Sequence, residues 1–190
     1  MEFIGIKSYP LLELGLSQIY LNERKIAVIE RWFNLNDMSI FEPLPVRDFG
    51  NGRYTLTDGH SRAYVAYKSG LTQIPIVYDN DDMVAGKIGQ MLYRADIEWC
   101  NRFYIENISH LENRILTCEE YQQLWIGRCD RSYELLTQTT ENERKVIQNK
   151  VPELFLYGAA EDFSEIYFEN ADGDSFVYKN GLLKAEYESY

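Results

Sequence analysis

The chain has 190 residues, 45% of them hydrophobic and 14% aromatic, enough for one sizeable core or a core domain with an appendage and not the composition of a disordered segment. Its net charge is −11, spread unevenly: residues 1–80 carry 8 Lys/Arg against 9 Asp/Glu, and residues 81–190 carry 11 against 21. A duplex-binding surface needs cations to displace condensed counterions, so the charge argues against DNA, while the near-neutral first part can still hold one small anion.

No apolar run approaches the roughly 20 residues of a membrane span, and none resembles a signal peptide. Cys100, Cys118 and Cys129 lack the paired spacing of a zinc or redox site and read as reduced core thiols of a cytoplasmic protein. His60 and His110 are the only histidines, too few for a histidine-rich metal centre.

In chain order, residues 1–16 suggest an edge strand, and Leu16–Leu21 alternates like a strand. Asn22 suits an N-cap and Glu23 a first helical turn, and Ile26, Ile29 and Phe33 recur at helical spacing, predicting a helix over 23–34. Asn34–Phe41 reads as a loop, and Pro43–Arg47 as a strand entered through prolines. Phe49-Gly-Asn-Gly-Arg53 is a hairpin turn leading to a strand over 53–57. A helix follows Gly59 and stops at Gly70, and Ile74–Tyr78 forms the next strand.

The middle of the chain, 81–150, reads as helical: one long helix over about 83–103, another over 118–136 opened by the capping box Thr117-Cys-Glu-Glu120, and a third over 141–149 opened by Thr140-Glu-Asn-Glu143. Trp99, Tyr121, Leu124, Trp125 and Ile126 suit packing against the first part. From 151 to 190 the pattern is a three-stranded antiparallel meander over 163–169, 175–179 and 182–188, with Asn180-Gly181 as its stronger turn signal. Asp172-Gly-Asp174 reads as a hairpin turn, because the full ligand spacing of a calcium loop is missing. The fold class expected is α+β (mixed α/β): a small sheet with helices over 1–80, a helical segment, and a C-terminal meander.

The turn Asp58-Gly-His-Ser-Arg62 collects chemistry where a strand hands over to a helix, a natural anion site because free N–H groups and the helix dipole point into it. Asp58 can hold Mg²⁺ or orient an acceptor hydroxyl, or simply cap the helix and shape the turn. His60 can hydrogen-bond a transferring phosphoryl group or be a satisfied turn histidine. Arg62 offers a fork for phosphate, or pairs with Asp58 or Glu23. Ser61 suits phosphate binding and equally an ordinary cap, and Thr57 and Gly59 suit a strand end and close backbone approach. His110, between apolar neighbours, reads as structural.

Gly59-His-Ser-Arg-Ala-Tyr-Val-Ala-Tyr-Lys-Ser-Gly-Leu-Thr-Gln-Ile-Pro75, behind Thr55-Leu-Thr-Asp58, resembles the ParB/sulfiredoxin superfamily over about residues 14–80. The resemblance implies a sheet delivering a glycine-led turn to a helix start on which nucleotide phosphates sit. ParB proteins carry Gly-Glu-Arg-Arg-x-Arg there; this chain has His60, Ser61, Arg62 and Tyr64, so two of three arginines are absent, and no helix-turn-helix follows. Sulfiredoxins place a cysteine after the glycine, where this chain has His60. The turn is most similar to the Asp-Gly-His-x-Arg type of the free serine kinases, in which a glutamate early in the chain is the base. Glu23 matches that place, with Asn22 where a histidine is expected before it.

The resemblance thus implies a nucleotide-dependent (ATP or ADP) phosphotransferase acting on a small hydroxylated metabolite. Glu23, Asp58 and His60 would be catalytic, Thr57, Gly59, His60, Ser61 and Arg62 would bind phosphate, and Asp58 would hold Mg²⁺. The competing expectation is a non-catalytic module binding a nucleotide or a protein partner, or self-associating, through the acidic C-terminal part. A ParB-like nuclease ranks third, because metal ligands and basic surface are both thin.

Overall fold

Parallel pairing between Leu44–Asp48 and Gln73–Tyr78 forms the centre of the first sheet. In chain order the elements are strand β1 (Lys7–Pro10), strand β2 (Leu21–Asn22), helix α1 (Glu23–Trp32), strands β3 (Leu44–Asp48) and β4 (Tyr54–Leu56), helix α2 (His60–Lys68) and strand β5 (Gln73–Tyr78). Helices α3 (Asp82–Ala85) and α4 (Lys87–Arg102) follow, then a 3-10 turn (Ile108–Leu111), strand β6 (Ile115–Leu116), helix α5 (Cys118–Tyr121) and a π segment (Gln122–Ile126). Strands β7 (Phe155–Ala159), β8 (Glu165–Glu169), β9 (Ser175–Lys179) and β10 (Leu182–Ala185) end the chain. The fold is α+β. This computed structural model describes residues 7–130, Tyr133 and the backbone of these last four strands. It divides into two units, Met1–Ile126 and Gly127–Tyr190.

In the first unit the sheet order is β1-β5-β3-β4, with β1 antiparallel at the edge of β5 and β4 antiparallel to β3. Pro43 precedes β3 and Pro45 is its second residue, so both stand near the start of the strand, where a missing N–H is tolerated. The β3–β4 hairpin closes through Asp48, whose Oδ1 accepts the N–H groups of Gly50, Asn51 and Gly52 at 2.8, 3.1 and 3.0 Å. Gly50 and Gly52 supply the positive φ angles there.

Leu44, Leu56 and Ile74 are fully buried on the sheet, and each contributes roughly 1.5–3 kcal/mol of burial. Helix α2 packs on α1 and on the 3-10 turn, and six of its nine residues are buried, so it runs through the core rather than along its surface. Helix α1 is the amphipathic one: Ile26 and Ile29 face inward while Glu23, Arg24, Lys25 and Val28 stay exposed.

Several expectations meet a different outcome. Leu16–Leu21 is not a strand: only Leu21 and Asn22 pair, in parallel, with Ile115 and Leu116 of β6. The preceding backbone is satisfied otherwise, by a single bridge from Gly15 to Thr55 and by the N–H of Ser17 donating to the His60 ring. The long helix over 83–103 breaks at Gly86, whose ψ of 159° ends α3 and starts α4. Gly89 permits that break, since a Cβ there would collide with the Met83 carbonyl oxygen.

The capping box of Thr117 and Glu120 is present, but the α-helix it opens passes into the π segment after Tyr121, and residues 127–130 are helical again. The helix over 141–149 lies outside the described residues, as do both turns of the C-terminal hairpins. In the second unit the meander has four strands in the order β10-β9-β8-β7, all antiparallel, with a register shift between Leu156 and Gly158. Among the described residues, no helix is long and apolar enough to cross a membrane.

Candidate functional site

Strand β4 runs into Thr57 and Asp58, and Gly59 then reverses the chain with φ of +79° to start α2. Two constraints make this glycine. The left-handed backbone is costly for any residue with a Cβ. A Cβ here would also lie 2.7 Å from Leu44 Cδ2 and 3.0 Å from Arg62 Nη2. The first N–H to bond within the helix is that of Ala63, to the Gly59 carbonyl at 2.8 Å. No side chain caps this helix start, and no acid stands in its first turn. Among the described residues the N–H groups of His60, Ser61 and Arg62 are therefore free, at the positive end of a buried helix.

This helix start forms one wall of a cleft of about 520 Å³, a volume that suits a small-molecule ligand. Asp58, Gly59, His60, Ser61 and Arg62 all border it. Asp58 is largely exposed, its side chain 83% accessible, and lies 3.9 Å from Arg62 Nη2. Arg62 is held from behind: its Nη1 donates to the Glu42 carbonyl at 3.0 Å and lies 3.8 Å from the Glu42 carboxylate. Pairing with Asp58 thus occurs, pairing with Glu23 does not, and Glu42 is a partner that spacing alone did not single out.

His60 is 4% exposed, and its Nε2 accepts the Ser17 N–H at 3.3 Å. That bond assigns the ring proton to Nδ1, on a residue that borders the cleft. Burial pushes the imidazole pKa down to about 4; the nearby Asp58 charge opposes this shift and Lys25 adds to it. His60 is accordingly neutral at pH 7, a hydrogen-bond donor rather than a cation. Ser61 is 8% exposed, and its hydroxyl has no partner among the described residues.

Two of the residues singled out from sequence lie off this wall. The Thr57 hydroxyl donates to the Asp79 carboxylate, and the Thr57 carbonyl accepts from the Tyr93 hydroxyl at 3.0 Å, so Thr57 anchors the end of β4 instead of bordering the cleft. Glu23 is exposed in the first turn of α1 and does not border the cleft, although its neighbours Asn22, Arg24 and Lys25 do. Asn22 is the expected cap: its Oδ1 accepts the N–H groups of Arg24 and Lys25 at 2.9 and 3.1 Å.

The wall formed by α1 contributes two side chains that sequence reading missed, Arg24 and Lys25. A signal was available, because cations in a helical first turn oppose the macrodipole and call for a reason. With Arg62 they give the cleft lining three cations against Asp58, a positive patch on an acidic chain.

Cys118, from the start of α5, borders the cleft as well. It is exposed, not a core thiol; Cys100 is buried and Cys129 half-buried. It reaches this position because the β2–β6 pairing sets Leu116 beside Asn22 and the chain turns into α5 directly afterwards. His110 lies away from the cleft and is exposed, its Nδ1 3.1 Å from the Glu106 N–H and 3.0 Å from the Tyr104 carbonyl.

Among the described residues no group of three or more His, Cys, Asp or Glu side chains is arranged to hold a metal ion. A lone carboxylate such as Asp58 nevertheless fits Mg²⁺ of the kind held mostly by phosphate oxygens and water. No family model matches the chain, and no curated protein matches it.

Proposed function

We propose that the cleft at the start of α2 binds the phosphates of a nucleotide, ATP or ADP, and that the chain is a phosphotransferase acting on a small hydroxylated metabolite. The observation that carries this reading is the uncapped helix start: three free N–H groups, the unpartnered Ser61 hydroxyl and the neutral His60 ring border one cleft with Arg24, Lys25 and Arg62. Phosphate oxygens suit the N–H groups and cations, and Nδ1–H of His60 would donate to a phosphoryl oxygen. Asp58, exposed at the mouth, would accept the proton of the attacking hydroxyl or help hold Mg²⁺, which when bound offsets charge on the phosphates. The order β4, glycine-led turn, α2, β5 is what a likeness to the ParB/sulfiredoxin superfamily calls for, and we carry that likeness into the proposal. We also place the chain in the cytoplasm, where its cysteines, none of them in a disulfide among the described residues, would stay reduced.

A second reading, a module that binds the nucleotide without turning it over, is favoured by one observation: Glu23, the base implied by the resemblance, does not border the cleft.

A thermal-shift screen with ATP, ADP, CTP and GTP, each with and without Mg²⁺, tests both. At a ligand concentration a hundredfold above Kd the stabilisation is about 2.7 kcal/mol. The exposed Arg24 and Lys25 can be replaced by alanine without opening the core, and the double variant is expected to lose most of that shift. Absence of any shift in the unaltered chain sinks the nucleotide reading. If binding is found, Asp58→Asn should retain it and lose turnover; turnover that survives Asp58→Asn and vanishes in Glu23→Gln returns the base role to Glu23.

A further inference from the structure

Of the three cysteines, Cys118 alone is both exposed and on the cleft. Its thiol has one polar partner among the described residues, Asn22 Oδ1 at 3.6 Å. That oxygen already accepts two backbone N–H groups, so loss of the S–H leaves the cap of α1 in place. The same cleft carries an independent sign of a ligand: Ser61 is more than nine-tenths buried, borders the cleft, and its hydroxyl bonds to nothing among the described residues. A molecule entering the cleft therefore meets a sulfur nucleophile on one wall and anion-seeking donors on the other.

The geometry points to Cys118 as a modification site for low-molecular-weight disulfides that carry carboxylates, and to the modified form as one in which the attached group fills the cleft. In the exchange Cys118 releases its proton to solvent, and its thiolate sulfur bonds to one sulfur of the reagent. The reagent's S–S bond breaks, and its other half leaves as a thiolate that takes up a proton. The incoming disulfide is the oxidant, so no other is required. The carboxylates of the attached half suit the free N–H groups of His60 and Ser61. The consequence, exclusion of a nucleotide, rests on the phosphate reading; the chemistry at sulfur and the filling of the cleft do not.

The test uses the full chain with glutathione disulfide as the probe, followed by peptide mass mapping over time and by amide NMR of the adduct. Cys118 is expected to react at least tenfold faster than the buried Cys100. The adduct should shift the amide signals of Gly59, His60 and Ser61, and Cys118→Ser should show neither effect. A Cys118 that reacts no faster than Cys100, or an adduct whose shifts stay confined to α5 and its neighbours in sequence, overturns the proposal. In a parallel arm, ATP with Mg²⁺ should stabilise the unmodified chain and not the adduct; equal stabilisation of both overturns exclusion. If the unmodified chain shows no stabilisation, the phosphate reading fails, and the NMR comparison still decides whether the group on Cys118 fills the cleft.

Discussion

Gly59→Ala is expected to destabilise the first unit by about 3 kcal/mol. Roughly 1 kcal/mol of this comes from forcing a Cβ-bearing residue into the left-handed region, and the rest from overpacking. The overpacking is specific. The new methyl would lie 2.7 Å from Leu44 Cδ2, on a side chain with no exposed surface, and 3.0 Å from Arg62 Nη2. Leu44 has little room to yield in the sheet, and Arg62 is tethered to the Glu42 carbonyl. Relief therefore comes from shifting the turn, which also moves the free N–H groups out of alignment. At about 2–4 °C per kcal/mol for a chain of this length, thermal denaturation should show a fall of roughly 10 °C. Gly52→Ala is the control: its φ is +74°, yet nothing lies within 4 Å of the added Cβ, so it carries the backbone cost alone. Equal melting temperatures for the two variants would contradict the account of why Gly59 is glycine.

The second large effect is on pH dependence. His60 is held neutral in the folded chain, with its pKa lowered from 6.5 to about 4, first by burial and then by Lys25, against the pull of Asp58. In the unfolded chain the same ring takes up a proton near 6.5. Between pH 6.5 and 4 the unfolded state thus binds more protons, and stability falls as the pH is lowered through this window. Above 6.5 the contribution is complete; below 4 no more is lost, because the folded state is protonated too. The size is about 3 kcal/mol, from 1.36 kcal/mol per unit. Carboxylates titrate at the lower end of the same range, so the comparison is with His60→Gln, whose unfolding free energy should fall less steeply from pH 6.5 to 5. A variant with the same slope as the unaltered chain would show that His60 is not buried and neutral.

What could be read from the sequence was what local chemistry decides. Gly59 and Gly70 bracket α2, Asn51-Gly52 lies in the β3–β4 hairpin, Asn22 caps α1, and the Thr117 box is in place, because each solves a backbone problem within a few residues. Long-range requirements were not legible. Leu16–Leu21 alternates like a strand, but its Ser17 N–H is claimed by His60, 43 positions away. The break at Gly86 depends on the close approach of Met83 to Gly89, which no periodicity of apolar residues encodes.

The lining of the cleft was legible in half. The turn 58–62 declared itself through its composition, whereas the facing wall is assembled by the two-residue pairing of β2 with β6. That pairing brings Cys118 to a cleft bordered by residues almost a hundred positions earlier. Glu23 illustrates the converse: the resemblance implies a base at its position, but its helical neighbours, not it, border the cleft.

The claim on which the rest depends is that phosphate sits on the first turn of α2. Titration of the isotopically labelled full chain with ATP and Mg²⁺, followed by amide NMR, addresses it residue by residue. With phosphate on this turn, the largest, saturable shifts fall on Gly59, His60, Ser61 and Arg62, with smaller ones on Arg24 and Lys25. Saturable shifts centred elsewhere, with these amides unmoved, would contradict it.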